Sequence, residues 1–151
     1  MTLPAATSQP APLRVAVIIP CFRVGEHVLR VLASIGPEVD AIYVVDDACP
    51  ERSGDRVESA CSDPRVRVVR HAENGGVGAA VLTGYGAAIR DGADILVKID
   101  GDGQMDPALL PRFVRPIAEG RADYTKGNRF SDLMHLGRMP GIRLFGTAVL
   151  S

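Results

Sequence analysis

The chain has 151 residues, 46% apolar and 23% charged, with 17 basic against 18 acidic side chains and a formal charge of −1. That is the size of one domain with a sizeable core. The near-balanced charge, without a basic stripe, speaks against a nucleic-acid partner.

Nothing approaches the ~18 consecutive apolar residues that span a bilayer. Three cysteines, Cys21, Cys49 and Cys61, lie far apart without a CxxC pair. They argue against a disulfide framework or zinc site, suit a reducing cytoplasm, and read as small buried side chains. Residues 1–12, with Pro4, Pro10 and Pro12, carry no signal-peptide pattern and read as a flexible lead-in to a domain over 13–151.

In chain order, Val15-Ala16-Val17-Ile18-Ile19 is a short apolar, mostly β-branched run that predicts a strand buried on both faces and stopped at Pro20. Val28, Leu29, Leu32 and Ile35 fall at helical spacing, closed by Gly36-Pro37. A second strand, Ala41-Ile42-Tyr43-Val44-Val45, ends in Asp46-Asp47, and a helix follows over about Arg52 to Cys61. Val66-Arg67-Val68-Val69 predicts a third strand, and an alanine-rich helix runs from Asn74-Gly75-Gly76-Val77-Gly78 to about Arg90. A fourth strand, Asp94 to Ile99, delivers Asp100. Asp106-Pro107 reads as N-cap and first-turn proline of a helix to about Glu119, with a short strand near Asp123 to Lys126.

Alternating strands and helices predict an α/β fold, a mostly parallel sheet with helices on both faces, whose ligands bind at the carboxyl ends of the strands. Pro20, Asp46, Asp47, Asp100 and Asp102 all fall there. Asp100-Gly101-Asp102 places two carboxylates on one face of an extended chain, ~6–7 Å apart, with a glycine that leaves room for a ligand. Such a pair suits a hard cation, Mg²⁺ or Mn²⁺, bridging to phosphate; the alternative is a polar turn. Asp106 reads as a cap. The adjacent Asp46 and Asp47 are expected to raise each other's pKa, and stand either as a solvated turn or as acceptors for a base or ribose. The glycine cluster at 74–78 either presents N–H groups to an anion or simply opens a helix. A dinucleotide fingerprint belongs directly after the first strand, where this chain has Pro20-Cys21-Phe22-Arg23 instead. His27, His71 and His135 read as surface or loop residues.

The succession Ile18-Ile19-Pro20-Cys21-Phe22, Val44-Val45-Asp46-Asp47, Asn74-Gly75-Gly76-Val77-Gly78, Asp100-Gly101-Asp102-Gly103-Gln104 with Asp106-Pro107, then Gly127-Asn128-Arg129-Phe130, resembles the family 2 inverting glycosyltransferases. Within that family it is most similar to the dolichyl- and polyprenyl-phosphate hexosyltransferases, from Leu13 to Ser151. The resemblance implies a Rossmann-like GT-A domain. By analogy Pro20, Cys21 and Phe22 line the nucleotide pocket, Asp46 or Asp47 contacts base or ribose, and Asn74, Gly78 and Asp100 lie on the nucleotide side. Asp100 and Asp102 would hold the metal and diphosphate. The catalytic candidates are Asp102, Gln104 near the sugar, and Arg129 near the donor phosphates or acceptor.

The implied donor is a UDP- or GDP-linked hexose, transferred with inversion to a lipid phosphate. The implied location is the cytoplasmic face of a membrane, touched only through parts beyond residue 151. The chain departs from the family pattern at Arg23-Val24 (usually Asn-Glu, with Glu26 as the substitute in reach), at Ala48-Cys49 (usually Gly-Ser) and at Glu51 (usually Asp). The apolar run Gly141 to Ser151 reads as a helix cut short, so the domain is expected to be an N-terminal fragment, incomplete at its C-terminus. Two alternatives stand beside a working enzyme. A non-catalytic nucleotide-sugar-binding module fits the departures. A nucleotidyltransferase would want a basic, glycine-rich loop after the first strand, which Pro20-Cys21-Phe22 is not.

Overall fold

The computed structural model describes residues 12–127. Four parallel strands, β1 (Val15–Cys21), β2 (Ala41–Asp46), β3 (Val66–Arg70) and β4 (Ile95–Lys98), form one sheet in the order β3-β2-β1-β4. Every residue of β1 and β2 is buried, as continuous apolar runs demand in a sheet covered on both sides. Strand alternation sorts the core into two layers. Val15, Val17, Ile19, Ile42 and Val44 pack with α1 (His27–Ala33), Val57 of α2 (Ser53–Ala60) and Leu110 of α4 (Leu110–Ala118). Ala16, Ile18, Tyr43 and Val45 pack on the other face with Ala80, Ala87 and Ala88 of α3 (Gly76–Arg90). Helices therefore cover both faces, as the alternation predicts.

Pro20 does not stop β1; the strand runs on to Cys21. The Ile18 carbonyl accepts from Ile99 N–H, 3.0 Å away, so Ile18 and Pro20 turn their backbone polar groups to the same side of β1. On that side the pairing with β4 has already ended at Ile18↔Lys98. The donor that proline lacks is not needed. The expected strand near Asp123 to Lys126 does not form. With Tyr124 largely exposed, the segment has no apolar face to bury, and the Thr125 hydroxyl instead donates to the Phe113 carbonyl of α4 at 3.0 Å. Helix α1 ends at Ala33, before Gly36-Pro37, whose loop is held by the Arg65 guanidinium donating to the carbonyls of Ile35, Gly36 and Val39.

The order β3-β2-β1-β4 sets the switch point. Successive strands step outward from β1 to β3, and α3 then crosses β2 and β1 to place β4 on the far side. The crossing is tight at Gly84, where a Cβ would fall inside the Ile18 side chain and 3.2 Å from Val45 Cγ2. Ile18 sits mid-strand and cannot withdraw. Replacing Gly84→Ala should therefore lower stability by about 1–3 kcal/mol despite alanine's better helix propensity. Denaturant unfolding checks this; equal or higher stability would mean that the α3–sheet contact is slack.

Candidate functional site

The carboxyl ends of β1 and β4 flank an open cleft of about 360 Å³, at the position where the strand order reverses. Pro20, Cys21, Phe22, Asp47, Asn74, Asp100 and Asp102 line it, together with Arg23, Val24, Gly76, Val77, Ala80 and Gly101. Seven of the residues singled out from sequence are thus brought to one place. Asp46 and Gly78 are not among them, and Gln104 is exposed just beyond Asp102. Arg129 lies outside the described residues.

Asp46 and Asp47 part because a strand sends successive side chains to opposite faces. Asp46 turns toward α2, where its Oδ1 accepts from Cys49 N–H (2.7 Å) and its Oδ2 from Gly54 N–H (2.6 Å). It holds the β2–α2 turn, and a Cβ on Gly54 would sit 2.9 Å from Asp46 Oδ2. The two carboxylates thus point apart, each to its own donors. Asp47 turns toward α3 and is 2% exposed. Its Oδ1 accepts from Gly75 N–H (2.9 Å) and the His71 Nδ1 (2.6 Å), and its Oδ2 from Gly76 N–H (2.8 Å). Burial pushes the Asp47 carboxyl up, but the donors Gly75, His71 and Gly76 outweigh it and hold it below its ordinary value.

The glycine cluster therefore does present N–H groups to an anion, and the anion is the chain's own Asp47. Asn74 adds its side-chain amide to the Asp47 carbonyl at 3.2 Å. Gly78 lies two residues inside α3, rotated away, and a Cβ there would meet nothing within 4 Å. At the other wall, Asp100 Oδ1 lies 2.5 Å from Lys98 Nζ, both half-buried. Asp102 Oδ1 accepts from Gln104 N–H at 3.0 Å, closing a turn of its own. Gly101 lines the cleft and also packs on β1: a Cβ there would stand 3.2–3.4 Å from Ile19, Cys21 and Val24. Its absence lets the acidic turn lie flat on β1. Asp106 acts as a cap, accepting from Ala108 N–H at 3.0 Å, but of a short 3-10 turn, Pro107–Leu109, that leads into α4 rather than of one continuous helix.

The departures from the family pattern also find places. Ala48 adopts φ 50°, the left-handed region that favours the glycine usually found there. Cys49 Sγ replaces a hydroxyl as an acceptor, 3.1 Å from Arg23 N and 3.1 Å from Ser53 Oγ. It ties the loop after β1 to α2. Burial raises the Cys49 thiol, yet the donors Ser53, Arg23 and Glu51 prevail and lower it below its ordinary value. Cys21, buried without such donors, is pushed up to about 12, with the nearby Asp46 and Cys49 adding to the effect. Glu26 pairs with Arg56 of α2 at 3.4 Å and, among the described residues, is not one of those that line the cleft, so it does not stand in for the usual carboxylate there.

Sequence reasoning missed His71, Thr83 and Lys98. His71 is no idle loop residue: its ring spans Asp47 and the Thr83 hydroxyl, 2.8 Å from Nε2. It directly follows β3, at the same edge as the other candidates, which was a usable signal. Lys98 interrupts an apolar strand, another signal. Thr83, mid-helix, gave none.

Residues 16–147 match the sequence profile described as Glycosyl transferase family 2. The chain belongs to that family. It is 35% identical over 121 residues to the undecaprenyl-phosphate mannosyltransferase of Micrococcus luteus, covering 78% of this chain and 49% of that protein. It is 35% identical over 130 residues to the polyprenol monophosphomannose synthase of Mycolicibacterium smegmatis, covering 83% and 48%. The chain thus spans about half the length of these curated relatives. A structure of TarS 1-349 from S. aureus in complex with UDP shares the fold, with TM-score 0.59 and 19% identity over 80% of this chain and 40% of that one. The match supports the GT-A architecture expected for a family 2 transferase. Among the described residues, no helix is long and apolar enough to cross a membrane.

Two outcomes follow from this geometry. A carboxyl held below its ordinary pKa stabilises the fold above the unfolded-state value, about 3.9, and that contribution is lost as pH falls through the depressed native value. Asp47→Asn should cost about 1–3 kcal/mol at pH 7, and the gap to wild type should narrow below about pH 4 in acid-unfolding curves. A gap that stays constant with pH would rule out the charged form as the source. Ala48→Gly should instead stabilise by roughly 0.5–1 kcal/mol, the left-handed strain less glycine's added chain entropy. Thermal or denaturant melts decide it, and a loss of stability would show that Ala48 is unstrained.

Proposed function

We propose that this family 2 domain binds a nucleotide-diphospho-sugar in the β1/β4 cleft and serves as the donor half of an inverting hexosyltransferase acting on a lipid phosphate. The observation that carries this reading is the meeting of Asp47, Asn74, Asp100 and Asp102 around one cleft at the switch point. The relatives' names, with their undecaprenyl-phosphate and polyprenol substrates, support the acceptor class. Solved TarS structures with UDP and UDP-GlcNAc support the fold.

The two walls divide the labour. The nucleoside lies toward Pro20, Phe22, Asp47 and Asn74, where apolar surface and acceptor groups adjoin. Since Asp47 already fills the N-terminus of α3, the diphosphate has no anion seat there and lies at the acidic end of β4. Among the described residues no group of three or more His, Cys, Asp or Glu forms a metal cluster. Two carboxylates with the rest of the sphere open nonetheless suit Mg²⁺ or Mn²⁺, which keep waters and take phosphate oxygens. Asp100 and Asp102 would hold that ion, and bound there it would neutralise charge on the leaving diphosphate. Lys98 holds Asp100 in place from the strand side. By the family pattern Gln104 would act near the sugar, and Arg129, outside the described residues, near the phosphates or acceptor. An acceptor phosphate needs little deprotonation near neutral pH, its second pKa being ~6, so its oxygen can attack opposite the leaving group without a strong base. On this reading, with a lipid phosphate as acceptor, the work is done at a membrane surface, on its cytoplasmic face.

A second reading, a donor-binding module without turnover, is favoured by the missing loop carboxylate: Glu26 is turned to Arg56. Calorimetric titration of UDP and GDP, with and without Mn²⁺, tests both. Metal-dependent binding of one nucleotide, lost in Asp100→Ala/Asp102→Ala, is the expected result and selects the base. Absence of binding by a folded chain sinks the donor-site reading. Binding without transfer in the longer protein favours the module.

A further inference from the structure

Asp47 has about four acceptor sites on its two oxygens. Among the described residues, Oδ1 takes two donors, Gly75 N–H and His71 Nδ1, while Oδ2 takes only Gly76 N–H. One site is left, on Oδ2, of a carboxylate that lines the cleft. Its aim depends on His71. The two backbone donors come from consecutive residues at the start of α3, whereas the imidazole comes from the end of β3.

The ring is itself fixed at its far nitrogen. A carboxylate only accepts, so His71 Nδ1 carries the proton, and in the neutral ring Nε2 then accepts from the Thr83 hydroxyl at 2.8 Å. Thr83 stands seven residues beyond Gly76, about two turns along the same helix. The carboxylate sets Nδ1 as the donor, and the Thr83 hydroxyl, which can donate or accept, anchors the far end of the ring and so its orientation toward Asp47.

We propose that His71 and Thr83 are positioning residues for donor recognition. They hold Asp47 so that the spare acceptor site on Oδ2 receives one N–H or O–H from the nucleoside. This rests on the donor-cleft reading above. Loss of the hydroxyl in Thr83→Val leaves Nε2 without its anchor, so the ring holds Asp47 less firmly. Loss of the ring in His71→Leu leaves Oδ1 short of a donor and the carboxylate free to turn. In His71→Asn, an amide N–H stands near the place of Nδ1–H.

The test is titration of UDP and GDP, with Mn²⁺, against the wild-type chain, Thr83→Val, His71→Leu and His71→Asn, with Mn²⁺–pyrophosphate as a probe that carries no nucleoside. Melting curves accompany each variant. A displaced hydrogen bond is worth ~2- to 10-fold in affinity. Nucleotide affinity should fall about 3-fold in Thr83→Val and about 10-fold in His71→Leu, and stay within 2-fold of wild type in His71→Asn. Pyrophosphate affinity should not change. Wild-type nucleotide affinity in both Thr83→Val and His71→Leu overturns the proposal, and so does an equal loss for pyrophosphate, which marks general loosening. Thr83→Val, nearly isosteric, carries the test if His71→Leu does not fold. If the wild-type chain binds neither nucleotide, or Asp100→Ala/Asp102→Ala binds as wild type, the donor-cleft reading itself falls first.

Discussion

The carboxylate of Asp47 at the N-terminus of α3 is the interaction on which the rest depends. It is nearly buried, and it persists as an anion because two backbone N–H groups and an imidazole converge on it. The first turn of a helix has unpaired donors and a positive dipole end. Asp47 satisfies both while fastening α3 to the end of β2. At the opposite end, Asp91 accepts from the Tyr43 hydroxyl at 2.6 Å and pairs with Arg67. The helix that crosses the sheet is thus pinned at both ends, and the cleft beside it has fixed walls.

That same contact shapes what the cleft can take. A glycine-rich helix start usually offers a seat for phosphate, but here the seat is filled from within. The polar lining that remains is Arg23, after β1, and the acidic end of β4, where Asp100 is compensated by Lys98 and Asp102 closes its own turn. A diphosphate brought against two carboxylates needs a cation between them, so the metal in the proposed reading follows from where Asp47 has been spent.

Much of the fold was legible because a parallel sheet writes itself plainly. Strands buried on both faces are uninterrupted apolar runs, and each helix between them carries its own period. The errors came where tertiary pairing overrode a local rule. Pro20 reads as a stop, yet lies where β4 no longer pairs with β1. Asp123 to Lys126 reads as a strand, but has no face to bury.

The sequence by itself determined the family, the order of elements and the strand ends that carry the acidic residues, because periodicity and motif order are properties of the chain alone. Only the tertiary structure decided which of two adjacent aspartates faces the cleft, since that turns on which side of the sheet each helix covers. It also decided that His71 reaches Asp47 and that Thr83 reaches His71. Those two residues lie twelve positions apart, and each lies further still from Asp47. A hydrogen bond between distant residues leaves no period and no spacing to read; it exists only once the β2–α3 packing has brought its partners within reach.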